Sequence, residues 1–305
     1  MRGAMQNITI VIPNWNGLLL LRKYLKYVLL AAGSSEILVV DDNSSDGSVS
    51  YIKEYFPGIR IIQRTHQGGF SEAANEGVLK AKGDIVVLLN TDVCPTKHFL
   101  DAILPHFQNR TVFAVGCLDK SIERKGTILR GRGLGWWEKG MFVHAKGNIE
   151  NDTTAWVSGG SGAFRKDIWL KLGGLDNLYA PFYWEDIDLS YRARKAGYAV
   201  KFEKESVIFH YHEAGVIKKH FQTQDIRDIS YRNQFLFIWK NADTETLLSH
   251  IFFFPYHIIA PVVRNDFSMA RGLWSAFRIL PKILRKRASV QNFWMRKDKE
   301  LNIRT

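Results

Sequence analysis

Short, continuous apolar runs alternate with helical periodicity through the first third of the chain. Residues 8–12 are β-rich without a break, as expected of a strand buried on both faces. Pro13-Asn14-Trp15-Asn16-Gly17 then supplies turn residues, and 18–30 reads as a helix. The alternation continues with strand 36–40, a polar turn at 41–47, helix 48–56, strand 59–63, loop 67–70, helix 71–81 and strand 84–89. Strands alternating with helices predict an α/β fold around a mostly parallel, doubly wound sheet. Ligands of such sheets bind at the carboxyl ends of the strands. Asn14, Asn16, Asp41, Asp42, Asn90 and Asp92 all fall there.

The middle of the chain is less regular. Residues 111–117 look like a strand, and 126–147, rich in glycine and aromatics (Trp136, Trp137, Phe142), predict a hairpin or a lid. The paired tryptophans suit stacking on a sugar face, but core packing is the commoner use of such residues. Ser158-Gly159-Gly160-Ser161-Gly162 lets backbone approach a ligand closely. Phe182-Tyr183-Trp184 then precedes Glu185, Asp186 and Asp188, at the head of a helical pattern that ends at Gly197. Acids in a first turn complement the helix dipole. Crowded carboxylates beside aromatic rings also raise one another's pKa, which suits a general base.

Beyond Gly215 the pattern is helical, over 216–240, 244–263 and 266–287. The last stretch places Ala270, Leu273, Trp274, Phe277, Leu280 and Leu284 on one face. Arg271, Arg278, Lys282 and Arg285 lie opposite, the profile of an interfacial membrane helix. The run 247–263 contains Pro255, Pro261, His250 and His257, and is short of the roughly 20 clean residues of a spanning helix.

Charge sharpens this division. The net charge of the 305 residues is +12, but from Arg264 onward eleven Lys/Arg stand against three Asp/Glu, a net of +8 that leaves +4 for the rest. A basic tail on a near-neutral body points to an anionic partner. The length suits one α/β domain over 1–215, with a nucleotide-binding half (1–117) and an acceptor half (118–215), followed by a basic helical region over 216–305. Cys94 and Cys117 form no framework and no metal spacing, so a reducing compartment is expected. No signal-peptide pattern precedes the first strand.

The first strand is not followed by a Gly-x-Gly-x-x-Gly or a Gly-Lys-Ser/Thr loop, which argues against dinucleotide and P-loop chemistry. Acids stand at the strand ends instead. Asp41 and Asp42 suit hydrogen bonds from a ribose or base, and Asp92 suits a divalent cation held against a diphosphate. Each alone is an ordinary turn or cap residue; together on one sheet edge they favour a site. His210, ending the apolar run 207–209, suits a third ligand, with His212 a rival.

In order, these motifs resemble the inverting family 2 glycosyltransferases of the GT-A fold. They are 10–17, 39–47, Gly68-Gly69-Phe70 with Ala74-Asn75-Glu76-Gly77, 81–84, 88–92, 157–164, Gly173-Gly174-Leu175-Asp176 and 184–189. The branch most resembled is that of the rhamnosyl- and galactofuranosyl-transferases of bacterial surface polysaccharides. The resemblance implies donor contacts from Pro13, Asn14, Asn16, Asp41, Asp42, Asn75, Asn90 and Thr91, and a divalent cation (Mn²⁺ or Mg²⁺) on Asp92 and His210. It also implies Asp186 as catalytic base with Glu185 beside it, and Gly159, Gly160 and Trp184 on the acceptor side. Asn90 stands where many members carry the first Asp of the metal motif.

The expected activity is hexosyl or deoxyhexosyl transfer from a UDP- or dTDP-sugar to a sugar or polyprenyl-linked saccharide. The expected place is the inner face of the cell membrane, against anionic lipid, with no nucleic acid partner. Two other readings stay open on the residues alone. A nucleotidyltransferase would want basic triphosphate ligands near the first loop, where only Arg22 and Lys23 occur. A non-catalytic protein binding anionic membranes or nucleic acid would not need Glu185-Asp186 or the strand-end acids.

Overall fold

The computed structural model describes residues 7–123, 126–211, 221–263 and 266–305. Its first third follows the alternation in the sequence. Strands β1 (Ile8–Asn14), β2 (Glu36–Asp41), β3 (Arg60–Gln63) and β4 (Ile85–Leu89) alternate with helices α1 (Leu18–Ala32), α2 (Ser48–Tyr55) and α3 (Phe70–Lys80). The four strands are parallel, in the order β3-β2-β1-β4. Buried Val, Ile and Leu on both faces of β1, β2 and β4 explain the unbroken apolar runs. Gly77 lets α3 sit against β1, since a Cβ there would meet Val11 at 2.3 Å.

Beyond β4 the sheet becomes mixed. β5 (Val93–Pro95) and α4 (Phe99–Ile103) lead into β6 (Val112–Glu123), which is longer than its sequence pattern predicts. β7 (Gly126–Arg130) folds back on β6. β8 (Gly133–Glu138) and β9 (Met141–Lys146) form a separate hairpin. β10 (Ser161–Arg165) runs antiparallel to both β4 and β6, so the glycine-rich stretch read as a loop is partly a central strand. After α5 (Lys166–Lys171) and α6 (Glu185–Lys195), β11 (Ala199–Tyr211) pairs with β6 in parallel and with β5 antiparallel. The full order is β3-β2-β1-β4-β10-β6-β11-β5.

Four α-helices follow among the described residues: α7 (Thr223–Asn241), α8 (Thr244–Val263), α9 (Ser268–Phe277) and α10 (Leu280–Gln291). The single helix expected over 266–287 is broken at Arg278–Ile279, where Pro281 opens a new helix. Its packed side also differs from the predicted apolar face. Ser268, Gly272 and Ala276 face inward on α9, so α9 approaches α7 closely, while Trp274 and Phe277 are left outside. The 215/216 boundary, His212 and residues 216–220 lie outside the described residues.

These helices share a core with the body. One buried cluster joins Met141, Phe142, Tyr179, Trp184, Ile187 and Tyr191 to residues 235–238, Ala276, Ile283 and Leu301. The C-terminal strand-like tail crosses the β8–β9 hairpin. Ile303 and Gly135 exchange backbone hydrogen bonds of 2.7 and 3.0 Å. Of the hairpin or lid expected over 126–147, the structure has the hairpin, and its β8–β9 strands are pinned by the tail. Trp137 is a core residue, its indole donating to the Tyr191 hydroxyl at 2.9 Å, while Trp136 donates to Glu138 at 3.0 Å.

Candidate active site

At the carboxyl edge of β1 and β2, two loops are tied to each other. Asn14 donates to Asp41 at 2.8 Å and to Ser44 at 3.2 Å. The Asn16 amide donates to the Ser44 hydroxyl, and Asn16 accepts from the Ser45 amide. Asp46 accepts from the Leu18 amide at 2.8 Å, fixing the head of α1. Asp42 accepts from Arg64 at 2.5 Å and from the Gly69 amide at 2.7 Å. The predicted donor residues are thus where the pattern puts them, and Asp41 and Asp42 are also framework ties. Asn75 is set deeper. Its amide donates to the Leu175 carbonyl and accepts from Leu175 N and Trp169 Nε1. This braces the 173–175 turn, a structural duty that occupies the side chain the resemblance assigns to the donor.

The end of β4 joins this edge to the acceptor side. The Asn90 amide donates to the Gly160 carbonyl at 2.9 Å. Gly160 must lack a side chain, because a Cβ would meet Asn90 Nδ2 at 2.5 Å. Next along, the His210 imidazole lies between two carboxylates, with Nε2 3.2 Å from Asp92 and Nδ1 3.0 Å from Asp119. Burial opposes a charged ring here, but the hydrogen bonds to Asp119 and Asp92 outweigh it and push His210 up to about 9. Among the described residues no three His, Cys, Asp or Glu form a ready metal cluster. The donor set still fits a hard divalent cation completed by a ligand's phosphate oxygens. With Asp119 holding Nδ1–H, Nε2 could coordinate beside Asp92 once a bound cation displaced its proton.

The carboxylates at the head of α6 are held differently. Tyr183 and Trp184 both have left-handed backbones, with φ of 70° and 78°. Two consecutive residues of that kind are strained and persist here because α7 grips the turn. The Asn233 amide donates to the carbonyls of Tyr179, Phe182 and Tyr183 at 2.8, 2.9 and 2.9 Å. Arg232 holds the Ala180 carbonyl. The turn aims Glu185 and Asp186 beside Gly159.

Desolvation raises Asp186, offset in part by the amides of Ile187 and Gly159. Glu185 is pushed up to about 8 by desolvation and by the adjacent Asp186 charge, and its Oε2 has no protein partner. Both keep part of their surface open, so the protein walls of a cleft, not full enclosure, supply the desolvation. Asp188, on the same turn, is the reverse. It is fully buried against Arg192 (2.8 Å), Lys240 (3.0 Å), Asn241 and Tyr179. Burial would raise it, but the Arg192 and Lys240 charges hold it well below the usual carboxylate range.

Trp184 departs from expectation. It is 2% exposed, packed against Phe142, His144 and Phe237, and has no open face for an acceptor. The exposed aromatic of the turn is Tyr183. The sequence pattern also passes over His144. This exposed side chain on β9 meets Trp184 and Trp156 edge-on at 5.1 and 5.6 Å, and protein walls pull its imidazole below the ordinary value. Asp119 and Asn233 were likewise invisible, because each works on a residue far along the chain.

The sequence model of glycosyl transferase family 2 matches residues 9–172. A pre-mycofactocin glycosyltransferase of Mycobacterium tuberculosis is 25% identical over 218 residues, covering 68% of this chain. The chain spans only 43% of that relative's length. Among solved structures, GalNAc-T7 with UDP, GalNAc and Mn²⁺ superposes with a TM-score of 0.62 at 18% identity, over 78% of this chain and 48% of that one. The mannosyltransferase PcManGT of Pyrobaculum calidifontis, in complex with GDP-Man and Mn²⁺, gives 0.56 at 17% identity, over 95% and 75%. The architecture is the GT-A fold expected from the motifs.

Proposed function

Because the chain belongs to glycosyl transferase family 2, we propose that it moves a sugar from a nucleotide-sugar donor to an acceptor hydroxyl with inversion at the anomeric carbon. The observation that carries this reading is the carboxylate pair at the head of α6. Glu185 and Asp186 sit in a partly open cleft, with no cation partner among the described residues, beside the loop that reaches the end of β4.

The donor nucleoside lies across the loops of Asn14, Asn16, Asp41 and Asp42, with Asn90 and Thr91 at the sugar side. Asp92 and His210 would hold a divalent cation, Mn²⁺ or Mg²⁺; the structures of GalNAc-T7 and PcManGT, both with Mn²⁺, support a metal of this kind. That ion, when bound, neutralises charge on the leaving diphosphate. Asp186 takes the proton of the attacking hydroxyl. Glu185, protonated near neutral pH, leaves the negative charge of the pair on Asp186. Gly159 and Gly160 keep the floor of the cleft open, and Tyr183 offers the acceptor an exposed ring.

The donor is a UDP- or dTDP-sugar and the transferred group a hexose or deoxyhexose of the rhamnosyl or galactofuranosyl kind. The acceptor is a saccharide on a polyprenyl carrier at the inner face of an anionic membrane. The net +8 from Arg264 onward supports that setting. No described helix is long and apolar enough to cross a membrane. The test is donor turnover. Purified protein with Mn²⁺ or Mg²⁺ and a panel of UDP-, dTDP- and GDP-sugars should release nucleoside diphosphate from one of them, faster with the lipid-linked acceptor. Product of retained anomeric configuration would refute the mechanism.

A further inference from the structure

Helix α8 turns an apolar face outward. Leu248, Ile251, Phe252, Tyr256 and Ile259 are 63%, 67%, 77%, 55% and 59% exposed. Their spacing is that of one helix face, along about 16 Å of axis at 1.5 Å per residue. Between 246 and 263 there is no Asp, Glu, Lys or Arg. The inward face is already satisfied. His250 Nε2 accepts from Trp239 Nε1 at 3.2 Å, its Nδ1 meets the Gly140 carbonyl at 3.0 Å, and Phe254 packs on Phe235. The outward stripe is thus additional apolar surface. On the order of 500 Å² of it lies at the upper end of what a monomer leaves in water.

A second exposed strip flanks it. Trp274 and Phe277 are 69% and 46% exposed. Beside them Arg278, Lys282 and Arg285 are exposed and make no ion pair among the described residues. The Phe277 ring lies 5.0 Å from Trp239, the residue bonded to His250 of α8. Trp239 therefore joins the two elements, touching the inward side of α8 through His250 and the second strip through Phe277.

We infer that this double strip is the surface by which the protein lies on an anionic bilayer. α8 enters the boundary between headgroups and acyl chains, and Arg278, Lys282 and Arg285 meet lipid phosphates. The inference deepens the membrane setting proposed above and rests on it; it moves the apolar contact from the 266–287 helix to α8. A second copy of the chain fits less well, because a two-fold interface here would bring the same cations together.

Flotation of the full chain with phosphatidylglycerol–phosphatidylcholine vesicles, against phosphatidylcholine alone, tests this. The protein should float with the anionic vesicles, and Phe252→Glu with Ile259→Glu should lower the bound fraction about tenfold or more. Arg278→Glu with Lys282→Glu should do the same at low salt and less at high salt. UDP binding and melting temperature should not change in either pair. Wild-type protein that stays at the bottom would remove both the membrane setting and this surface. Equal flotation of the Phe252/Ile259 variant would remove this surface alone. Sedimentation without lipid should give a monomer; a dimer abolished by Phe252→Glu would overturn the inference in favour of a second copy.

Discussion

The two ends of the proposed reaction cleft carry similar numbers of carboxylates and treat them in opposite ways. On the donor side Asp42, Glu72 and Glu76 converge on one guanidinium, that of Arg64, at 2.5, 2.6 and 3.1 Å. Asp41 is closed off by Asn14 and the Ser44 amide. On the acceptor side Glu185 and Asp186 meet no cation among the described residues, and burial raises both. Two residues further, Asp188 returns to the donor-side pattern. If the α6 pair is the reactive one, as proposed, reactivity follows from where cations are withheld and not from the number of acids.

The sharpest way to break the contrast is to remove the exposed charge. Asp186→Asn should lower transfer by roughly 10³-fold, the scale of a lost general base, while calorimetry shows UDP binding within about twofold of wild type. Near-normal turnover would end the assignment.

Next in size is the opposite experiment on Asp188. Lys240→Met leaves Asp176 and Asp188 buried with a cation removed. A loss of roughly 3–5 kcal/mol is expected from an uncompensated buried charge, read by chemical denaturation. A variant as stable as wild type would mean the network contributes little. Arg64→Ala should cost about 2 kcal/mol, the scale of hydrogen bonds to charged groups. It should also weaken nucleotide binding, because the Asp42 tie to the 68–69 loop loosens.

The smallest effect is the most diagnostic. A carboxylate whose folded pKa is raised favours the native state at low pH and costs stability as pH rises through that value. Glu185→Gln should therefore stabilise the protein by about 1 kcal/mol at pH 9, after discounting for its partial exposure, and by nothing near pH 4. In the wild type, turnover should climb with pH to well above the ordinary carboxylate range. A profile already flat at pH 5 would place the ionised base elsewhere.

The first half of the fold was legible because its signals are local. Buried strands declare themselves as apolar runs, and acids after them mark the carboxyl edge. The pair Glu185-Asp186 was legible for the same reason. What escaped was set by partners far along the chain. Arg192, four residues on, is a local partner that Asp186 lacks, but Lys240, which completes the Asp188 network, stands 52 residues away. Asp119 reaches His210 across 91 residues. Trp184 looked like a platform because it adjoins the acids, yet the left-handed turn rolls it into the core and leaves Tyr183 outside. The break at Arg278–Ile279 did have a signal in Pro281, which a helical-face count over 266–287 overrode.

Lys195 and Asp298 meet at 2.6 Å, each 1% exposed, with Tyr191 and the Asp243 amide on the same carboxylate. That bond sets an order of events during synthesis. The first four strands can close on neighbours already made, but α6 lacks Asp298, the direct ion-pair partner of Lys195, until residue 298 has left the ribosome. The turn bearing Glu185 and Asp186 waits likewise for Asn233. A nascent chain would hold a formed donor edge before it holds a set base. On the proposed function, the nascent chain would gain the capacity to bind nucleotide before the capacity to use it, and the emergence of residue 298 would act as the switch.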